Sequence, residues 1–140
     1  MLKKIEKNGK IIALLFKRDE LDISDGINFF TSPENNLQVG ILKHPQGHVI
    51  KPHIHNKIEK IISDRQEMLY IEKGIMKVSF FDETGNKISE EMLNSGDLVL
   101  LISKGHGFEF LEDSRIIYVK QGPYVSKEED KRIFENDSGL

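Results

Sequence analysis

The sequence predicts an all-β domain, and three observations carry that reading. Short apolar runs recur at nearly even spacing along the chain, from Ile11 to Val119. Between them stand clusters rich in Gly, Asn, Asp, Ser and Pro, the residues that turn a chain. A clear helical start signal occurs only near the carboxyl end. Short strands separated by turns at this spacing are the mark of a sandwich or barrel.

Taken in order, residues 2 to 16 read as two strands around Asn8-Gly9, a dipeptide that accepts the positive φ angles of a tight hairpin turn. Charged side chains share this segment with isoleucines, which suits an edge hairpin able to pair with a second subunit. Residues 17 to 26 form a polar connection. Ile27 to Thr31 is a short strand with Phe29 and Phe30 on opposite sides, and Ser32-Pro33-Glu34-Asn35-Asn36 is a turn. Leu37 to Lys43 alternates as a strand, and His44-Pro45-Gln46-Gly47 leads into another from His48 to His55. Ile58, Ile61 and Ile62 stand among charges in residues 56 to 66, compatible with one amphipathic turn or a hairpin extension; an extended excursion is preferred.

Six further strands follow: Met68 to Lys73, Ile75 to Phe81, Lys87 to Leu93, Leu98 to Ile102, Phe108 to Leu111 and Ile116 to Gln121. Met76, Val78 and Phe80 form a stripe assigned to the core. Ser126 to Phe134 reads as a helix, with Ser126 as N-cap and Glu129 three residues on as its capping-box partner.

The totals narrow the class. A length of 140 residues suits one domain, expected over 1–140, with a barrel core at about 37–121, amino-terminal strands in 1–36 and a carboxyl-terminal turn and helix in 122–140. Without cysteine, any metal site must use nitrogen and oxygen ligands, and no disulfide staples the fold; this leans towards the cytoplasm. A formal charge of −3 and the lack of a lysine-rich face argue against a nucleic-acid partner. The apolar run Ile11 to Phe16 is too short to span a bilayer, and no cleavage pattern follows it, so a soluble, unprocessed protein with no membrane partner is expected.

The stretch Gly47 to Gly74 concentrates the chemistry. On a strand, His53 and His55 point to one face while Ile54 points away. Glu67 shares parity with the apolar Leu69 and Ile71, so its carboxylate faces a core, which is costly unless something positive meets it. Two imidazoles and a metal ion would meet it. Further on, a buried strand that starts at Gly96-Asp97 is followed by the glycine-flanked His106.

These residues resemble the cupin motifs. Gly47, five residues, His53-Ile54-His55, then Glu67, six residues and Gly74 follow the first motif with a lengthened gap before Glu67. Gly96 and His106 follow the second more loosely, since Ile102 and Lys104 stand where proline and glycine are usual. The resemblance covers about residues 37 to 121. It implies a cupin-type β-barrel, a double-stranded β-helix or jelly roll, holding one divalent transition metal at His53, His55, Glu67 and His106. Gln121-Gly122-Pro123-Tyr124 is similar to a subgroup of small bacterial cupins found near cell-surface polysaccharide genes.

Three imidazoles and one carboxylate suit Fe, Mn, Ni, Co, Cu or Zn. His44 and His48 are the other histidines, with His48 aimed away by strand parity. Phe108, Phe110, Gln121 and Tyr124 are candidates for lining a substrate pocket, against the plainer readings of core and turn. Lys43, Lys104 and Arg115 could hold an anion, though solvated surface charge is the default. The functional expectation is a metal-dependent enzyme, an oxygenase or an isomerase or epimerase, acting on a sugar derivative or organic acid. The alternative is a non-catalytic module that binds or senses a sugar or metabolite. A small-molecule ligand and a homodimer are the expected partners.

Overall fold

The computed structural model describes residues 2–134. The chain is mostly β-structure in antiparallel sheets with one short helix: β1 (Leu2–Lys7), β2 (Lys10–Phe16), β3 (Gly26–Phe29), β4 (Gly40–Lys43), β5 (Glu67–Lys73), β6 (Ile75–Phe81), β7 (Lys87–Asn94), β8 (Leu98–Leu101), β9 (Gly105–Phe110), β10 (Arg115–Lys120) and α1 (Lys127–Asp130). It divides into two compact units, Met1–Leu21 with Arg65–Leu140, and Asp22–Asp64. Of the region expected over 122–140, the part beyond 134 lies outside the described residues.

The first unit contains a five-stranded sheet, β1-β2-β8-β5-β10, and a three-stranded one, β7-β6-β9. Their apolar faces share one core, in which Ile12, Leu15, Ile71, Val78, Phe80 and Val99 are almost fully buried. The predicted stripe of Met76, Val78 and Phe80 is part of that core. Asn8 and Gly9 both take positive φ, 52° and 74°, and join β1 to β2 as a tight hairpin. The expected edge hairpin is an edge on one side only. β1 is the outer strand, whereas β2 also pairs with β8 and buries every residue from Ile12 to Phe16. An unbroken apolar run of this kind belongs to a strand covered on both faces.

Two glycines in this unit are required by close packing. Gly74 turns β5 into β6 at φ 95°, and a Cβ there would press on the Ser114 side chain and lie 2.9 Å from the Asp113 carbonyl oxygen. Gly96, at φ 92°, holds its Cα against the Arg18 side chain. The glycine spacing noticed in the motif is therefore explained by turn geometry, independently of any ligand.

The β6–β7 connection is organised by Asp82. Its Oδ1 accepts hydrogen bonds from the Thr84 hydroxyl (2.7 Å), the Thr84 amide (2.9 Å) and the Asn86 amide (3.0 Å). The Thr84 hydroxyl is the main cause, and with the Asn86 and Thr84 amides it outweighs desolvation, lowering the Asp82 pKa from an ordinary 3.8 to about 2. A depressed carboxylate pKa stabilises the fold above the unfolded value, and that stability is lost as pH falls through the folded value. The loop should thus stay closed down to pH 4 and open between about pH 4 and pH 2. Carboxyl NMR titration checks this: a midpoint near 3.8 for Asp82 would contradict it.

The second unit holds the β3–β4 hairpin. β4 begins later than the predicted Leu37 because Gln38 serves the preceding turn: its Nε2 donates to the carbonyls of Ser32 and Asn35, both at 2.9 Å, and its Oε1 accepts from the Thr31 hydroxyl at 2.8 Å. Residues 44 to 66 form neither strand nor helix, so the strand expected from His48 to His55 is absent. Pro45 and Pro52 lack amide donors, Gly47 sits at φ 86°, and the amide of His48 is spent on the Pro45 carbonyl in a turn. No ladder partner for this stretch exists within the unit.

At the carboxyl end the predicted N-cap forms, with the Ser126 hydroxyl accepting from the Glu129 amide at 3.2 Å. The helix lasts one turn, not the expected span to Phe134. It buries no residue, and a single turn without a packed face does not repay nucleation. Phe134 packs instead on Phe81, ring centroids 5.9 Å apart.

Candidate functional site

Glu67 opens β5 on the same face as the buried Leu69 and Ile71, as its parity predicted. Strand register places it opposite Leu101 of β8 on one side and Lys120 of β10 on the other. Residues directly opposite in an antiparallel pair share a face, so Lys120 stands beside Glu67 and Tyr118 lies diagonal to it. On the other sheet, His106 of β9 is opposite the buried Phe80 of β6 and therefore also faces the core.

These two faces bring a carboxylate and an imidazole together. Glu67 Oε2 lies 3.3 Å from His106 Nε2. The approach is off-line for a hydrogen bond, and Oε2 is buried without any donor aimed at it. Burial on its own would raise the Glu67 pKa; His106 first, then Tyr118 and Lys120, more than offset it and leave the carboxyl below its ordinary value. Partial burial, followed by the bond to Glu67 and its charge, pushes the Tyr118 phenol up, so it remains a protonated donor.

The separation of the two atoms is informative. Adjacent ligands bound at ~2.1 Å to one cation stand about 3.0 to 3.4 Å apart, in octahedral or tetrahedral arrangement respectively. Glu67 Oε2 and His106 Nε2 meet that spacing, and Oε2 is buried with no aligned donor. A buried carboxylate oxygen without a donor is a costly feature that a cation would relieve.

His53 and His55 belong to the second unit, where their rings meet edge to face at 5.2 Å between centroids. Both are exposed. His53 Nδ1 bonds the Lys51 carbonyl at 2.8 Å, which favours the tautomer with a free Nε2 lone pair. His44 and His48 stack on each other, centroids 3.9 Å apart and 2° from parallel. The proposed four ligands thus appear as two pairs, Glu67 with His106 and His53 with His55, each within its own unit. Among the described residues, neither unit by itself gathers three His, Asp or Glu side chains that could hold an ion.

The pocket candidates divide similarly. Phe108 packs against the core, and its ring lies 5.2 Å from that of His106. Phe110, one further step along the strand, is more than half exposed. Gln121 reaches back to the start of β5: its Oε1 accepts from the Gln66 amide at 2.6 Å, and its own amide donates to the Gln66 carbonyl. Tyr124 is exposed, with Lys120 Nζ 5.7 Å from its ring centroid, and the peptide between Gly122 and Pro123 is cis.

The three cations considered as anion holders are each matched by a surface carboxylate: Lys43 by Asp25, Lys104 by Glu83 and Arg115 by Glu72. Tyr118 and Lys120 went unremarked in the sequence although they neighbour Glu67, as did Arg65 and Asp130, which meet beside Lys120. Parity along β10 marks Tyr118 and Lys120 as one face, but only the register against β5 puts that face beside Glu67.

Among the described residues, no helix is long and apolar enough to cross a membrane. Comparison of the chain with family models, with curated proteins and with solved structures finds no match.

Proposed function

We propose that the protein is a cupin-type metalloprotein in which Glu67 and His106 supply two ligands to one divalent transition metal, with His53 and His55 assigned as the others by motif spacing alone. The supporting observation is the buried Glu67 Oε2, lacking a donor and 3.3 Å from His106 Nε2. A nitrogen and oxygen donor set of this kind suits a borderline divalent ion, whose chemistry when bound is to act as a Lewis acid towards a small-molecule oxygen. On this reading Tyr118 donates to the carboxylate and fixes its orientation, while Phe108 excludes water from one side of the imidazole. The substrate is a small molecule such as a sugar derivative or organic acid. The proposed homodimer would pair through β1, the outer strand of its sheet.

Metal analysis after reconstitution tests the reading. One divalent ion per chain is expected, with affinity reduced about 100-fold or more in His106→Ala and in Glu67→Gln. Less than stoichiometric metal in the intact protein, or full retention in both variants, would sink it. Turnover across a panel of sugars and keto acids, against thermal shifts without turnover, separates the enzyme from the binding module.

A further inference from the structure

Two cations, one of them the Lys120 that pairs across strands with Glu67, converge on one carboxylate. Arg65 Nη1 lies 3.0 Å from Asp130 Oδ1, and Lys120 Nζ bonds Asp130 Oδ2. The Asp130 side chain is only 4% exposed. Two features make it a poor match to the groups that hold it. Its Oδ1 has no aligned donor, and one of the two Nη1 hydrogens of Arg65 goes to the Pro123 carbonyl at 2.8 Å. Asp130 also rides on the one-turn α1, which buries no apolar side chain and lies between the exposed Val125 and the exposed Ile133. A segment with so few apolar contacts leaves its place at small cost.

We infer that Arg65 and Lys120 form a phosphate-binding subsite which Asp130 occupies as a placeholder, and that a phosphoryl group of a small-molecule ligand displaces it. A carboxylate offers two oxygens in one plane, whereas a tetrahedral phosphate offers three. It can therefore take a forked contact from the guanidinium and a point contact from the ammonium together. Lys120 is also the cross-strand partner of Glu67, so a phosphate held there would fix the ligand with its remaining atoms next to the Glu67–His106 pair. This deepens the proposed function by naming a phosphorylated substrate class. The subsite's anion binding itself requires no metal.

The test uses the full chain, freed of metal with chelator, titrated with inorganic phosphate and separately with acetate at constant ionic strength. Phosphate should shift the NMR signals of the Arg65 and Lys120 side chains and of the Lys127–Asp130 amides as α1 leaves its place. If Asp130 fills the site about nine-tenths of the time, Asp130→Asn should bind phosphate about tenfold tighter, and adding Lys120→Gln should abolish that gain. Unchanged phosphate affinity in Asp130→Asn overturns the inference. So does wild-type binding that leaves the Lys127–Asp130 amides unmoved, a readout that holds even if the variant folds poorly. Acetate binding as tight as phosphate overturns the phosphoryl assignment. Because metal is absent throughout, these outcomes are independent of whether Glu67 and His106 hold an ion.

Discussion

Replacing Asp97 by alanine is expected to cost about 3 kcal/mol, a large part of the ~5 to 15 kcal/mol that holds a domain together. Asp97 is 5% exposed at the entry to β8 and ties three chain segments. Its Oδ1 accepts from the Arg18 amide at 2.9 Å, and its Oδ2 from the Asn94 amide at 2.9 Å and from Lys17 Nζ at 3.2 Å. Removing the carboxylate strands two backbone donors in part-buried bonds, and leaves Lys17 with the Met92 carbonyl. Each orphaned buried donor costs ~1 to 3 kcal/mol, with the higher figure reserved for charged partners. Lys17 is partly exposed and can turn outward, so the two amides set the total. Asp97→Asn keeps one oxygen acceptor but points an NH2 group at another donor, and about half the loss is expected. In urea the midpoint should fall with the slope unchanged. A loss under about 1 kcal/mol in both variants would mean that Asp97 is not the anchor.

Asp97 also shows how far sequence reading reaches. Its place after Gly96, before an apolar run, identified the strand start. Apart from the nearby Asn94 amide, its partners lie 79 and 80 residues away on the segment after β2, and nothing local announces them. The same division runs through the molecule. Period-two patterning and turn residues located most strands of the first unit within a residue or two, because a half-buried strand must alternate and a tight turn must accept positive φ. Patterning failed for residues 48–55, where alternation exists but no ladder partner does; strand propensity reports fit to a sheet, not the presence of one. It failed again for α1, where a correct N-cap preceded a face with nothing to pack on.

For the site, parity puts Glu67 on a core-facing position, while His106 is singled out by its flanking glycines and the motif resemblance; its register opposite Phe80 brings it to Glu67. Which cross-strand neighbours they acquire depends on register, a long-range quantity. Hence Tyr118 and Lys120 were invisible, and so was the meeting of Arg65 with Asp130.

The largest effect is expected from Phe80→Ala, about 3 to 5 kcal/mol. Phe80 is 1% exposed on β6, the middle strand of its sheet, between Ser89 of β7 and His106 of β9. Its removal takes the largest fully buried side chain out of the core and leaves a void that strands on both sides, held by their ladders, cannot close. Phe80→Leu keeps most of the volume and should cost roughly 1 to 1.5 kcal/mol. The consequence for the site follows from register. His106 stands beside Phe80 on the same face, so the void opens next to the imidazole and frees its ring, and about a tenfold loss of metal affinity should accompany the loss of stability. His106→Ala makes the opposite split: its side chain is partly exposed and outside the core cluster, so metal affinity should fall with little change in the urea midpoint. Parallel denaturation and metal titration of the three variants separate the roles. A Phe80→Ala protein within about 1.5 kcal/mol of the parent would show that the sheets relax into the space, and His106 would then owe its position to something other than packing on β6.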